Sequence, residues 1–510
     1  MLNKKFVGID LGTTYSAMAT LDQTGRPLIV PNSEGEHVTA SVVTIQNDGE
    51  IIVGSGPNQL LGLDPNTIGR FKRSMDLPKV KFPSGKEISP VELSSHVLSR
   101  LKKDFIQTEG EIAEAVVTVP ANFTNDAREA TMSAAKAAGL PIKYIINEPT
   151  AAALYYASKR EGLNGTFAIY DFGGGTFDCS IVQISGRNVE TICSVGVAQL
   201  GGDDFDQCLI DLFGKKYKDK TGQDMKPEFY SRYKAEIDKK NLSKMSMTSQ
   251  MIGVELIQVS RTEFEEALSP FIAQSEMLCI QAISEMAAKA IPGIKQVEDI
   301  NGVLLVGGST RVPAVRASIQ KIFKKEPLSE VNVDEAVALG AAIYAAIKGD
   351  ANYLSPLQRD AIKGIQFSDV CPAYLGTDAV MGSGEVLNSI IIEKNTKLPC
   401  SVKKIYTTTH NNQRGVSCQV TQSASEETDL QFCNILADQT LKLSGISPAG
   451  TSIEVTYSYD VNGTVRCSFV ELGYGEPLEI VINTIGNTPS NSSRPASSSA
   501  QGGLSDIVIE

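Results

Sequence analysis

The sequence predicts an α/β unit built of two similar lobes, followed by an all-β domain. Three observations carry this prediction. From the start to about residue 350, short apolar runs alternate with amphipathic stretches, the pattern of strands and helices packed in layers. Within that span one stretch occurs twice. VGIDLGTTYS at 7–16 and IYDFGGGTFD at 169–178 both read as a strand, an aspartate, a Gly/Thr turn and a second apolar strand. From residue 369 to about 487 the pattern changes to short alternating runs separated by turn signals.

Taken in order, FVGID, EAVVTVP, TFAIYDF and GVLLVGG read as buried strands. Ser89-Pro90-Val91-Glu92 is a capping box with proline at the first helical position. It opens a helix carrying Val91, Val97, Leu98, Leu101 and Phe105 on one face. A second helix, over 124–138, stops at Gly139 with Pro141 just beyond. Residues 351–368 are mixed in texture, with Pro356 and isolated apolar points at Ile362, Ile365 and Phe367. They are expected to form an interdomain linker, either docked through those three side chains or solvated. In the all-β stretch, Asp460-Val461-Asn462-Gly463 before TVRCSFV is a hairpin turn. The polar run TPSNSSRPASSSAQGG cannot build a core and is expected to be disordered; it ends in LSDIVIE. Domains are therefore expected at 1–350, 351–368 (linker), 369–487 and 488–510 (disordered tail).

Composition narrows the function. The 510 residues carry a net charge of −12, with a pI of about 5.0. That balance argues against nucleic acid or an anionic membrane as partner. No stretch is apolar for long enough to be a signal peptide or to span a bilayer. The nine cysteines include no CxxC pair, and His37, His96 and His410 lie far apart, which argues against zinc. Reduced thiols in a cytoplasmic protein are the expectation.

The DFG at 171–173 invites comparison with protein kinases. A kinase also needs a Gly-rich loop, a strand lysine in a VAIK-like setting and an HRD loop, and the sequence has none of these, nor a Walker A motif. The two matched turns suggest different chemistry. Glycines let backbone amides approach a polyphosphate, and threonine hydroxyls add donors. Each turn also brings an acid that would repel phosphate unless a metal lay between them, so Asp10 and Asp171 are expected to face one another and orient hydrated Mg²⁺.

IDLGTTYS, VVTVPANF, IINEPTAAAL, DFGGGTFD, LGGDDFD, VLLVGGSTRVP and VDEAVALGAAI occur in this order across residues 1–350. In these motifs the chain resembles the heat shock protein 70 (DnaK-like) family of chaperones. The resemblance implies an actin-like ATPase of two RNase H-like lobes, followed by a β-sandwich that binds peptides. It implies ATP/ADP and Mg²⁺ as ligands, with K⁺ a further candidate ion. Carried over position by position, it puts Asp10, Gly12, Thr13, Thr14 and Tyr15 from one hairpin, and Asp171, Gly173, Gly174, Gly175, Thr176 and Asp178 from the other, at the phosphates. Thr176, Asp178 and Lys72 would stand near the attacking water, and Lys72 is the residue expected to position it and to stabilise γ-phosphate charge. Asp10, Glu148 and Asp171 would hold the metal through water. Gly201, Gly202 and Asp203 would form a loop at the hinge side. Glu236, Lys239, Lys240 and Ser243, with Gly307, Gly308, Ser309 and Arg311, would hold the nucleoside. Lys240 stands where the family usually has arginine, and a lysine cannot stack as a guanidinium does.

The stretch between Lys72 and Ser89 is short against the family pattern, which trims an arm that helps engage nucleotide-exchange factors and leaves that partnership open. In this it is most similar to the short bacterial HscC-type homologues. The family's helical lid is expected to be replaced by the polar tail, giving faster peptide release. Thr377, Val380, Tyr406, Thr409, Val416 and Cys418 would surround the peptide groove. LSDIVIE is close enough in sequence to fold back into it, although Asp506 and Glu510 argue against that. The expected function is an ATP-dependent chaperone whose hydrolysis switches peptide affinity, with unfolded segments and a J-domain protein as partners. The alternative is a client-specific, ATP-switched regulatory binding protein without general refolding activity. A sugar-kinase or actin-like relative is a third reading, disfavoured by the β domain.

Overall fold

The computed structural model describes residues 4–160, 162–328, 332–382, 384–445, 447–460, 464–483 and 507–509. The chain divides into two compact units, Met1–Phe367 and Ser368–Glu510.

In the first unit, strand β1 (Lys5–Asp10) buries its central residues and ends at Asp10. Strand β2 (Tyr15–Leu21) returns antiparallel with Ala17 opposite Asp10, and β3 (Pro27–Ile29) extends the meander. Helix α1 (Pro90–Glu109) starts as its capping sequence predicts, the Ser89 hydroxyl accepting the Glu92 N–H at 3.1 Å. Strand β4 (Ile112–Val119) lies parallel to β1, helix α2 (Asn125–Ala137) leads to a left-handed Gly139, and β5 (Ile142–Asn147) lies parallel to β4. The main path of this sheet is β5-β4-β1-β2-β3.

Helix α3 (Glu148–Lys159) crosses to the second lobe, which repeats the path. Strands β6 (Asn164–Phe172) and β7 (Phe177–Ser185) form a hairpin with Asp171 opposite Asp178. Strand β8 (Asn188–Val197) continues the meander, and parallel strands β9 (Ile300–Val306) and β10 (Pro327–Leu328) lie on the far side of β6. The path β10-β9-β6-β7-β8 within the second sheet repeats the main path of the first, which is the structural form of the repeat seen in the sequence. Helices α4 (Gly202–Thr221), α5 (Arg232–Leu242), α6 (Arg261–Ala288) and α7 (Pro313–Phe323) contribute to a large core under this sheet, with Phe172, Phe177, Phe205 and Phe213 fully buried.

A second core joins the lobes beneath their cleft. Its centre is α3 and a last alanine-rich helix, α8 (Ala336–Lys348), packed with Phe6 and Val116 from one sheet and Ile169 and Val182 from the other. The two helices cross at Gly340, where a methyl group would stand 1.7 Å from the Ala151 carbonyl oxygen.

Residues 351–367 do not form a free linker, because they fold as part of the first unit. Pro356 opens a short helix, Pro356–Ile362, capped reciprocally by Ser355 and Gln358, and the Gln358 amide donates to the Asp22 carbonyl at 2.9 Å. Ile362, Ile365 and Phe367 pack on the shared core, with the Phe367 ring 4.9 Å from Tyr344. Apolar surface on α3 and α8 is what makes docking outweigh solvation here.

The second unit holds two antiparallel sheets around one core. One runs β15-β14-β11-β12, from strands β11 (Tyr374–Val380), β12 (Val386–Ile392), β14 (Gly415–Ser423) and β15 (Asn434–Lys442). The other runs β13-β16-β17-β18, from β13 (Cys400–Thr408), β16 (Ser452–Tyr459), β17 (Thr464–Glu471) and β18 (Leu478–Asn483). Tyr406, Tyr457 and Phe469 fill the space between, and the Tyr457 hydroxyl ties the sheets by donating to the Gly376 carbonyl at 2.9 Å. The hairpin strands flanking 460–463 pair as predicted, and residues 461–463 of the turn lie outside the described residues. Most of the tail also lies outside them. Ile507–Ile509, expected to be disordered, instead forms a strand, β19, between β11 and β13.

All nine cysteines are free thiols; Cys179, Cys193, Cys279, Cys371, Cys418 and Cys467 are buried. Among the described residues no helix is long and apolar enough to cross a membrane.

Candidate active site

The two repeated hairpins meet face to face. A methyl group on Gly174 would stand 2.1 Å from the Thr14 hydroxyl, and one on Gly175 would stand 2.5 Å from the Thr13 side chain. Only glycine permits that approach. Above the contact opens a cleft of about 870 Å³, a volume suited to a ligand of nucleotide size. Asp10, Gly12, Thr13, Thr14 and Tyr15 line one side, with Asp171, Gly173, Gly174 and Thr176 on the other.

Charge is concentrated at its floor. Lys72, buried in the short turn FKRS, donates to Glu148 at 2.6 Å, and Glu148 is the first residue of α3. Asp171 and Asp178 are buried and Asp10 is half-buried around this pair. Burial, and then the charge of Glu148, pushes the Asp10 carboxyl up to about 7, although Lys72 and a 3.3 Å bond from Thr118 pull it back. The same two causes hold Asp171 and Asp178 well above the usual carboxylate range. Burial opposes the charge on Lys72, but Glu148, Asp10 and Asp171 outweigh it and raise its pKa. The floor therefore has a surplus of buried acid over base. One oxygen of Asp178, Oδ1, has no hydrogen-bond partner among the described residues.

The opposite end of the cleft is built from α5 and the turn after β9. Glu236 accepts from the Tyr15 hydroxyl at 2.7 Å and from Lys240 at 2.7 Å, and the Lys240 ammonium lies 5.1 Å from the Tyr15 ring centre. Burial favours the neutral form of Glu236, yet Lys240 and Lys239 keep its pKa below the ordinary value. Lys239 pairs with buried Asp206 at 2.8 Å. Gly307, Gly308 and Arg311 join this wall together with Ser309, whose hydroxyl donates to the Gly173 carbonyl at 2.8 Å; Ser243 lies beside them.

Five residues expected at the ligand are not on the cleft wall. Gly175 lies under the hairpin contact, where its carbonyl accepts from the Arg73 guanidinium at 2.8 Å. Gly201, Gly202 and Asp203 start α4 and brace the second hairpin from behind. The Gly202 and Asp203 N–H groups donate to the Gly173 and Gly174 carbonyls at 3.0 and 2.8 Å. Asp203 also pairs with Arg70 at 2.6 Å. Asp178, hydrogen-bonded partner of Asp171 in the ladder, sits behind the floor. In the other direction, Glu36, His37, Arg316, Asn332, Asp334 and Glu335 line the cleft without having been singled out. His37 meets Glu335 at 2.8 Å, and Arg311 meets Asp334 at 2.6 Å. The signal for two of them, VDEAVALGAAI, was in view as a motif but had no role attached.

The family model described as Hsp70 protein matches residues 6–81 and 74–499. The chain is 37% identical over 501 residues to the chaperone protein DnaK of Thermotoga neapolitana, covering 94% of this chain and 80% of that protein. DnaK of Thermosipho melanesiensis is 37% identical over 497 residues, with the same coverage. The chain belongs to the Hsp70 family. Hsp70 proteins are ATP-hydrolysing chaperones that bind nucleotide.

Of the six groove candidates in the second unit, Tyr406, Val416 and Cys418 belong to the sandwich core, and Thr377 is fully buried on β11. Val380 is half-buried at the end of β11, and Thr409 is exposed just past β13. Val380 and Tyr406 stand opposite residues of β19.

Proposed function

We propose that ATP binds with its phosphates between the facing hairpins, and that hydrolysis there changes the hold of the second unit on extended peptide segments. The observation that carries the first part is the contact of Gly174 and Gly175 with Thr14 and Thr13, which brings two sets of backbone amides and hydroxyls to one point. Thr13, Thr14 and Thr176 offer hydroxyl donors to the phosphates. Lys72, fixed by Glu148 at 2.6 Å, stabilises charge on the transferred phosphoryl group and positions the attacking water.

The acid surplus fits a divalent cation. Burial, and then the charge of Glu148, disfavours ionisation of Asp10, Asp171 and Asp178, and a cation would offset that cost. Among the described residues no group of three or more His, Cys, Asp or Glu side chains is placed to hold a metal ion directly. This suits Mg²⁺, which keeps its water shell. Asp10, Asp171 and Glu148 would hold it through water, and K⁺ would occupy the same polar floor. Bound Mg²⁺ would neutralise phosphate charge. Lys240 with Glu236, Lys239 and Ser243 orients the nucleoside, assisted by the turn from Gly307 to Arg311. A J-domain protein is the proposed partner that stimulates turnover; an exchange factor has no assigned surface.

The test is the affinity for a panel of unfolded peptides, measured once with ATP and once with ADP. Binding that weakens in ATP supports the reading. No binding to any peptide, or equal affinity in both nucleotides, refutes it.

A further inference from the structure

The edges of β11 and β13 face each other across the sandwich, and both are left open by their own sheets. Pairing of β11 with β14 stops at Gly376, because the Asp378 carboxylate beyond it takes the Gln419 N–H at 3.1 Å. Strand β13 is paired with β16 along one edge only among its own sheet. Open strand edges of this kind bind any extended segment that offers its backbone. Strand β19 takes both at once. Val508 lies opposite Val380 of β11 in parallel, and Ile507, Val508 and Ile509 lie opposite Thr408, Thr407 and Tyr406 of β13 in antiparallel register. Among the described residues, β19 is what joins the two sheets edge to edge.

We propose that Ile507-Val508-Ile509 is an internal occupant of the peptide groove, which foreign peptides must displace before they bind. The proposal rests on the reading of the second unit as peptide-binding. Three β-branched residues in a row favour the extended backbone that the two edges require. The tether, residues 484–506, is short enough to make the encounter intramolecular, at an effective concentration of order millimolar. The occupant acts as a threshold on client affinity and leaves the site available to stronger binders.

The experiment uses the full chain in ADP and two fluorescent probes: the heptapeptide LSDIVIE and a basic heptapeptide with a three-leucine centre. The variant is Val508→Pro, which removes a backbone donor from β19. The variant is expected to bind the leucine probe about tenfold to a hundredfold more tightly than the unaltered chain. It should bind LSDIVIE as well, and unlabelled LSDIVIE should displace the leucine probe from it. Equal affinity of both proteins for the leucine probe overturns the internal occupant while leaving the peptide-binding reading intact. Failure of both proteins to bind either probe overturns the peptide-binding reading and the proposal with it. Concentration-dependent association of the unaltered chain that Val508→Pro abolishes also overturns it, since the occupant would then come from a second copy.

Discussion

Lys72 lies buried among Asp10, Glu148 and Asp171, and its charge is what a phosphoryl group would meet at the cleft floor. Lys72→Ala is expected to lower kcat about 10²–10³-fold, the usual cost of losing one preorganised charge. Nucleotide binding, read by titration with a fluorescent ADP, should persist. The acids give a pH test. Asp10 rises from 3.8 to about 7 on folding, so the native state binds the proton more tightly than the unfolded chain. Its contribution to stability is complete below pH 3.8 and is lost as pH rises through about 7. Asp206, raised to about 6 by burial, acts in the same direction. Without nucleotide or Mg²⁺, the Tm of the first unit should therefore fall between about pH 4 and 7 more steeply than in Asp10→Asn, as read by calorimetry. At this scale the acids and threonines of the hairpins were legible, because a repeated Asp-Gly-Thr turn is unusual in itself. The pairs Arg70–Asp203, Arg73–Asp204 and His37–Glu335 were not, because each joins residues more than a hundred positions apart with no local pattern.

Elements explain why those residues meet. Both sheets follow one strand path, and the two loops bearing Asp10 and Asp171 leave equivalent strands. What fixes their separation is the crossing of α3 and α8, set by the absence of a side chain at Gly340. Gly340→Ala, although it raises helix propensity, forces a methyl group against the Ala151 carbonyl and should cost about 1–3 kcal/mol in urea unfolding. A gain in stability would mean that the helices can separate freely. Helix starts were readable from Ser89 and Thr124 because capping is local chemistry, whereas the helix capped by Ser355 fell in a stretch read as a mixed linker. The docking of Ile362, Ile365 and Phe367 was left open between two outcomes, since three apolar side chains decide nothing until their receiving surface is known. The fold-back of LSDIVIE was in reach of sequence reasoning but disfavoured by Asp506 and Glu510; its partners are two open edges that only the folded second unit brings together.

For the whole molecule, two units with separate cores predict two calorimetric transitions. Nucleotide at a hundred times its Kd should stabilise the cleft-bearing unit by about 2.7 kcal/mol, moving one transition upward more than the other. A single transition that moves as one would refute the separation. The buried cysteines offer a second view of the same events. A hydrogen bond with Cys279, and then burial, raises the Cys179 thiol, and burial, helped by Asp378 and Asp438, pushes Cys418 up to about 12. Thiols so protected react with an alkylating reagent only when their surroundings open. Cys179 and Cys279 lie in the core of one unit, Cys418 and Cys467 in that of the other. Followed by mass spectrometry peptide by peptide, their modification becomes a pair of clocks, native to the sequence, that time the loosening of each unit as nucleotide and peptide come and go.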